Sequence, residues 1–495
     1  MEKQTEMADL YDQLKKLDRH TRYPYHMPGH KRNPQAGPMA DVMAIDITEI
    51  DGFDDLHDAS GILLEAEKKA AKIYGAEETH FLVNGSTAGV LAAVSAACAA
   101  GRETAGAAQH PLLLAGRNSH ISFLHAAYLM QADVQWMIEE ELTDGDARIP
   151  GTVYPAEVME ALSKASAAGR LPAAVFVTSP TYYGVIGDIP SIVEIAHSYG
   201  VPVIVDEAHG AHFGLIQGLP DSAVHAGADL VVDCLHKTQP SLTQTALIHV
   251  QGALIDRTNL RRFLRIYQTS SPSFVLMASI DSCMTMIRER PELFGGVLLY
   301  KQIILEQGRA WKHLRFLSGQ LVQDPCKIVV TTASCRMTGR ELYDILLENY
   351  HIEPEMAYGD EVVLILTGMD TEDGIEALLW ALTEVDNFLE RERANAASSS
   401  PKPSLPEMCP PEVSCSIADA WDAPAEEILL KDAAGRVSAE LIAPYPPGTP
   451  LLCPGERIGE DAAARIRALA SAGVRVRGIR DRDGELTVRA VKQDR

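Results

Sequence analysis

The chain has 495 residues, of which 46% are hydrophobic and 23% charged, and its formal net charge is -24. That length exceeds what one growing core accommodates, so two or three domains are expected, and the proportions are those of a globular protein, not a disordered one. The excess of carboxylates argues against nucleic acid or an anionic membrane surface as a partner, since both call for a basic face.

The first twenty residues contain no apolar segment followed by a small-residue cleavage site, and no apolar run is long enough to span a bilayer. Eight cysteines, at 98, 234, 283, 326, 335, 409, 415 and 453, form no C-x-x-C pair and have no His-rich neighbour, which disfavours a metal site and a disulfide framework alike. A cytoplasmic protein with reduced thiols is the expectation.

From about residue 65, short apolar runs alternate with helix-like stretches, as in βα units around a mostly parallel sheet. The predicted strands are THFLV (79–83), PLLLAG (111–116), DVQWMI (133–138), AAVFVTS (173–179), VPVIVDE (201–207), ADLVVDC (228–234) and TALIHV (245–250). They are rich in Val, Ile and Leu without strict alternation, the mark of strands covered on both faces. The segment SIVEIAHSYG (191–200) has helical spacing and stops on a glycine.

Near residue 270 the rhythm breaks. The expected division is a large α/β domain with its N-terminal segment over 1–280, a smaller α+β unit over 281–392, a linker over 393–413 and a C-terminal α+β domain over 414–495. KIVVTTA (327–333) and EVVLILT (361–367) are the strand runs of the second unit, and the Ala-, Ser- and Pro-rich linker cannot bury a core.

Three elements carry chemistry. In FLVNGSTAGVLAAVSAA (81–97) a strand runs into Gly85, Ser86 and Thr87 and then a helix, so free N–H groups and two hydroxyls could hold a phosphate; Ser86 or Thr87 could equally be a plain helix cap. In PVIVDEAHGAHFG (202–214) a strand ends on Asp206, a carboxylate suited to a pyridinium N–H, to Mg²⁺ or to capping. In LVVDCLHKTQPSLTQTA (230–246) the next strand delivers His236 and Lys237 to the same edge; a partly desolvated amine there suits Schiff-base chemistry, while an ordinary surface lysine is the bland alternative. Together, in this order on one α/β domain, they have the layout of aminotransferase-like (fold type I) pyridoxal-phosphate enzymes.

The chain further resembles the ornithine/lysine/arginine decarboxylase family. The resemblance rests on HMPGHKRN (26–33), DITEIDGFDDLHDASGILLEAE (46–67), FLVNGSTAG (81–89), RNSHIS (117–122), PTYYG (180–184), VDEAHGAHF (205–213), HKTQPSLTQ (236–244), QTSSPSFVLMASID (268–281) and YPPGTPLLCPGE (445–456), and so covers nearly the whole chain. It implies pyridoxal 5'-phosphate as cofactor, Lys237 as the lysine that holds it and Asp206 as partner of its pyridine nitrogen. It places His120 on the cofactor ring, Ala208 and His209 beneath or beside it, and Gly85, Ser86, Thr87 and His236 at the phosphate, with Cys234 where the family has a serine.

The same resemblance implies that Thr269 and Ser270 reach the phosphate of a neighbouring subunit, in a homodimer or dimer of dimers with sites at the interface. Tyr445 and Glu456 are expected to line the substrate entrance. His209 or Lys237 would return a proton to the substrate's α-carbon. Because the chain starts almost directly at HMPGHKRN, the N-terminal wing domain of larger members is expected to be missing. His120-Ile121-Ser122 departs from the family's H-K-S, and a thiol at 234 is a weaker donor than a hydroxyl. The implied reaction is decarboxylation of arginine, lysine or ornithine to agmatine or a diamine, within polyamine biosynthesis. Another PLP-dependent lyase or aminotransferase reaction, or a non-catalytic polyamine-sensing homologue, are the competing readings.

Overall fold

Apolar runs that lack alternation need cover on both faces, and here they obtain it in a seven-stranded sheet. The computed structural model describes residues 9–493 apart from 18, 21, 106–109, 318, 320, 396–404 and 447. In chain order the strands are β1 (Glu78–Leu82), β2 (Leu112–Gly116), β3 (Asp133–Met137), a separate hairpin of β4 (Glu141–Asp144) and β5 (Ala147–Pro150), then β6 (Ala174–Thr178), β7 (Val203–Asp206), β8 (Leu230–Asp233) and β9 (Ala246–Val250).

Across the sheet they lie in the order β1-β9-β8-β7-β6-β2-β3. All pairs are parallel except those of β9, which runs antiparallel to β1 and β8. Every residue of β7 and β8 is buried. Register aligns Thr178 with Asp206 and Asp206 with Val232, so β6, β7 and β8 present their carboxyl ends side by side, the edge at which open α/β sheets hold ligands.

The helix that follows β1 spans Gly85–Ala105 and packs on the sheet. Gly85 has φ +74°, a left-handed turn that lets the strand pass directly into the helix. Gly89 has a packing role: a Cβ there would lie 2.6 Å from Leu82 Cδ1 and 2.9 Å from Val232 Cγ1, so only glycine lets the helix approach this closely.

The expected division at 280/281 falls inside one helix, Phe274–Glu289, which Ser273 caps by accepting the Leu276 N–H. Its Asp281 is buried, lies 2.7 Å from Lys69 Nζ and accepts the Leu10 N–H at 2.8 Å, fastening the N-terminal segment to the large unit. The next helix, Pro291–Gly308, begins on a proline at the first helical position, and the change of unit is better placed there. An antiparallel sheet follows, β10 (Arg315–Leu317), β11 (Lys327–Thr331), β12 (Met356–Tyr358) and β13 (Glu361–Ile365), in the order β10-β11-β13-β12. Its core runs from Val297 to Val385.

The closing helix spans Glu372–Asn395 and so takes in the first residues of the expected linker. The middle of that linker lies outside the described residues, while Leu405 and Met408 pack on the core of the C-terminal unit. There strands Ala425–Leu429, Ile479–Arg482 and Glu485–Val491 form an antiparallel sheet beside the helix Glu460–Ser471. Ile417, Leu441, Ala443 and Cys453 join the core of the large sheet, so the C-terminal unit is seated on it through apolar contact. Among the described residues no helix is long and apolar enough to cross a membrane.

Candidate active site

The carboxyl edge of the large sheet opens into a cavity of about 680 Å³. That volume suits a cofactor together with a small substrate. Gly85, Ser86 and Thr87 line it from the start of the helix after β1, Asp206, Ala208 and His209 from the end of β7, and Cys234, His236 and Lys237 from the end of β8. His120 lines it from the turn after β2. The nine large-sheet positions and His120 are therefore gathered in one space although they span residues 85–237.

Each side chain has a local reason for its position. His120 caps the helix Ile121–Leu129: its Nδ1 accepts the Ser122 hydroxyl at 2.9 Å and the Ser122 N–H at 3.3 Å, which leaves Nε2 to carry the ring proton. Ile121, the departure from the family's lysine, packs on the main core. Asp206, only 5% exposed, accepts the Ala208 N–H at 3.2 Å and has no ion-pair partner among the described residues. Cys234 Sγ lies against Ser86 and 3.4 Å from His236 Nδ1. Burial pushes its thiol pKa up, so at neutral pH it stays protonated. His236 Nδ1–H donates to the Thr245 carbonyl at 3.3 Å.

The smaller unit closes the cavity with residues the sequence reading missed. Glu355 and Ile365 line it, and the Tyr182 hydroxyl donates to Glu355 Oε1. Behind this wall Lys327, fully buried at the start of β11, donates from Nζ to His209 Nδ1 at 2.9 Å and lies 5.4 Å from the centre of the Tyr182 ring. Burial first, and then the charges of Lys237 and Lys327, push the His209 pKa well below the ordinary histidine value, so that ring is neutral. Beside it His212 Nε2 pairs with Asp324 Oδ1 at 2.8 Å, and Cys326 N–H donates to the same oxygen at 2.8 Å. His212, Asp324 and Cys326 bring ligand-type atoms within 4.8 Å of one another, and the cations of Lys301 and Lys327 face the same carboxylate.

Tyr445 lines the cavity with Pro446, Gly448 and Thr449, its ring facing the Arg477 guanidinium at 3.4 Å. Glu456 does not line it. It is 1% exposed, forms a two-pronged ion pair with Arg117, and accepts the Cys453 N–H at 2.7 Å. Arg117 donates in addition to the Leu451 carbonyl at 3.1 Å and lies over the Trp136 ring. The expectation for Glu456 is therefore corrected: the motif glutamate is a buried strut to the turn that carries His120. Thr269 and Ser270 are exposed and lie outside this cavity; the Thr269 N–H donates to Asn84 Oδ1 at 3.2 Å and its carbonyl meets His57 Nε2 at 2.8 Å.

The residues present fit pyridoxal phosphate. A helix N-terminus with two hydroxyls suits a phosphate, and a buried carboxylate without a cation suits a protonated ring nitrogen. The amine of Lys237 lines the same cavity. Buried polar atoms of Asn118 and Thr178, both cavity residues, have no protein partner among the described residues, as expected of a wall shaped for a polar ligand.

Comparison with known proteins agrees with this geometry. Residues 8–399 match the model of the Orn/Lys/Arg decarboxylase major domain and residues 400–475 that of the Orn/Lys/Arg decarboxylase C-terminal domain. The arginine decarboxylase of Bacillus subtilis (strain 168) is 30% identical over 510 residues, covering 98% of each chain. That of Bacillus anthracis is 31% identical over 487 residues, covering 95% of this chain and 94% of its own. The fold matches the solved Escherichia coli constitutive lysine decarboxylase with a TM-score of 0.75 at 20% identity, over 98% of this chain and 81% of that one. With the two family models together matching residues 8–475, the chain belongs to the Orn/Lys/Arg decarboxylase family.

Proposed function

We propose that this protein is a pyridoxal-phosphate enzyme that decarboxylates a basic amino acid, with arginine as the substrate and agmatine and CO₂ as products. The observation that carries the reading is Lys237 and Asp206 on one cavity wall with the carboxylate of Glu355 opposite. Arginine is favoured because relatives matched over nearly their whole length, those of Bacillus subtilis (strain 168) and Bacillus anthracis among them, carry that name.

When bound, pyridoxal phosphate supplies an electron sink for the pair left on the α-carbon as CO₂ departs. The chain's own groups do the rest. Lys237 would hold the cofactor through its amine, and Asp206 would keep the pyridine nitrogen protonated. Ser86, Thr87, His236 and the helix N–H groups would hold the phosphate, and in a homodimer Thr269 and Ser270 of a second copy would reach toward it. His120, Ala208 and His209, which line the same cavity, would pack against the cofactor's ring. Glu355, tied to Tyr182, faces the distal cation of the substrate, and a carboxylate in a sheltered cavity rewards a guanidinium in proportion to its desolvation. Tyr445 and its turn narrow the mouth and limit water.

The reading is tested by CO₂ release from arginine, lysine and ornithine in the presence of pyridoxal phosphate. Agmatine formed faster than either diamine supports it. No release from any of the three overturns it, and faster release from lysine or ornithine overturns the choice of arginine. The competing aminotransferase reading requires a keto acid product, and the non-catalytic one requires that Lys237 carry no cofactor; borohydride-sensitive absorbance at the visible edge distinguishes the latter.

A further inference from the structure

A second lysine, Lys327, lies behind the cavity, and nothing in the reaction as set out above uses it. It is the first residue of β11, is fully buried, and reaches across from the smaller unit to His209. We infer that Lys327 and His209 form a two-group proton relay, in which Lys327 fixes the His209 tautomer and supplies, through its ring, the proton returned to the substrate's α-carbon. The inference rests on the proposed decarboxylation and names the acid for its last step.

An ammonium has donors and no acceptor, so the 2.9 Å contact makes His209 Nδ1 the acceptor and places the ring proton on Nε2. Among the described residues no protein acceptor meets Nε2, and His209 lines the cavity. The imidazole thus offers an N–H to whatever occupies that space.

A neutral imidazole alone is far too weak an acid to give up this proton. The relay removes the difficulty: as the α-carbon's electron pair takes the Nε2 proton, Nδ1 takes one from Lys327 Nζ. One C–H and one N–H bond form, and two N–H bonds break. His209 ends neutral with its proton on Nδ1, Lys327 ends as a neutral amine, and water later restores both.

The two residues are faced by different sets of groups. His209 is faced by Lys237, Lys327, His120 and His212, with no carboxylate among them, which keeps its ring neutral. Lys327 is faced by Asp324, Lys237, Glu355 and Cys326, and burial outweighs the two carboxylates, lowering its pKa to about 8. An acid near neutrality is the most useful kind at physiological pH. The sign follows: below about 8 Lys327 is charged and pins the tautomer, and above it the pinning and the proton supply are lost together.

The test is the imidazole ¹⁵N spectrum of the full-length protein, with His209 assigned from a His209→Gln variant, read with and without added pyridoxal phosphate, and paired with kinetics. At pH 7 the proton is expected on Nε2. Lys327→Met should give a mixture of tautomers and a kcat about 100-fold lower with KM for arginine little changed. Lys327→Arg should keep the tautomer, since it still donates, yet lose the rate, since it does not release a proton. A purely structural lysine would leave kcat intact in the arginine variant. A proton found on Nδ1 in the unaltered protein overturns the inference without any variant, as does unchanged kcat in Lys327→Met. If the unaltered protein releases no CO₂, the proposed reaction fails, while the spectrum still decides the pairing.

Discussion

The two walls of the cavity are built on different plans. The large-sheet wall places its residues at the carboxyl ends of neighbouring strands, where Asp206 ends β7 and Lys237 follows β8 by four residues, so each is delivered by its own strand and the next turn. The facing wall is a contact between units: Glu355 precedes β12, Lys327 starts β11, and both meet Tyr182 or His209 across the boundary. On the first wall a functional residue is fixed by the strand before it. On the second it is fixed by what another unit presents, so a charge placed there is held only while the units stay docked.

Substitutions that act on one wall at a time sharpen this contrast. The largest effect is expected for Lys237→Ala: turnover and the absorbance of bound cofactor should vanish, since no other cavity residue of the large-sheet wall is an amine. Residual turnover, or a borohydride adduct mapped to Lys327, would move the attachment point to the opposite wall. Asp206→Asn should keep cofactor binding and slow turnover on the order of 100-fold or more, because a buried pair broken on one side typically costs about 3–5 kcal/mol. Near-normal kcat would assign the ring nitrogen another partner.

Glu456→Gln tests the strut. Leaving Arg117 buried beside a neutral amide should lower stability by about 3–5 kcal/mol in equilibrium denaturation, with little effect on the KM of the enzyme that remains folded. A raised KM with unchanged stability would return Glu456 to the substrate path. On the contact wall, Glu355→Gln should raise KM for arginine about tenfold and change kcat much less, since a hydrogen bond to a charged group is worth about 1.5–3 kcal/mol and an amide retains part of it. The smallest effect is expected at Cys234→Ser. Its sulfur already lies against Ser86 at the helix start, and a hydroxyl there should improve cofactor affinity several-fold. Unchanged affinity with a lower melting temperature would identify position 234 as apolar packing only.

The same contrast governs what the sequence revealed. The seven strands of the large sheet were readable because most are largely apolar runs, and every expected run overlaps an observed strand. That β9 runs against its neighbours was not readable, as TALIHV has the same composition as the parallel strands. The hairpin β4–β5 was overlooked although it has a signal: Asp144-Gly145 lies between Leu142 and Ile149, which pair across the two strands. Asp206, Lys237 and their neighbours were readable from strand-end position and motif. Lys327 was visible as the start of KIVVTTA but passes there for an ordinary surface lysine, because its burial comes from a partner more than a hundred residues away. Glu355 in HIEPEMAY has no local feature that distinguishes it from the chain's many other carboxylates. Glu456 was expected at the substrate entrance and is instead buried against Arg117, because motif membership carries no depth.

The buried pair of Arg117 and Glu456 bears on how such a protein can be recombined. Arg117 stands three residues before His120 on the same turn, so the contact that seats the C-terminal unit also holds the backbone that carries a cavity residue. A chimera that takes its C-terminal unit from another parent must bring an acid to position 456, or accept a guanidinium enclosed over Trp136 with nothing to neutralise it. A truncation at the linker would meet the same fault. The RNSHIS and CPGE segments, more than three hundred residues apart, therefore have to be exchanged as one piece, and a crossover that separates them should yield chains that fail during folding and not chains with altered substrate choice.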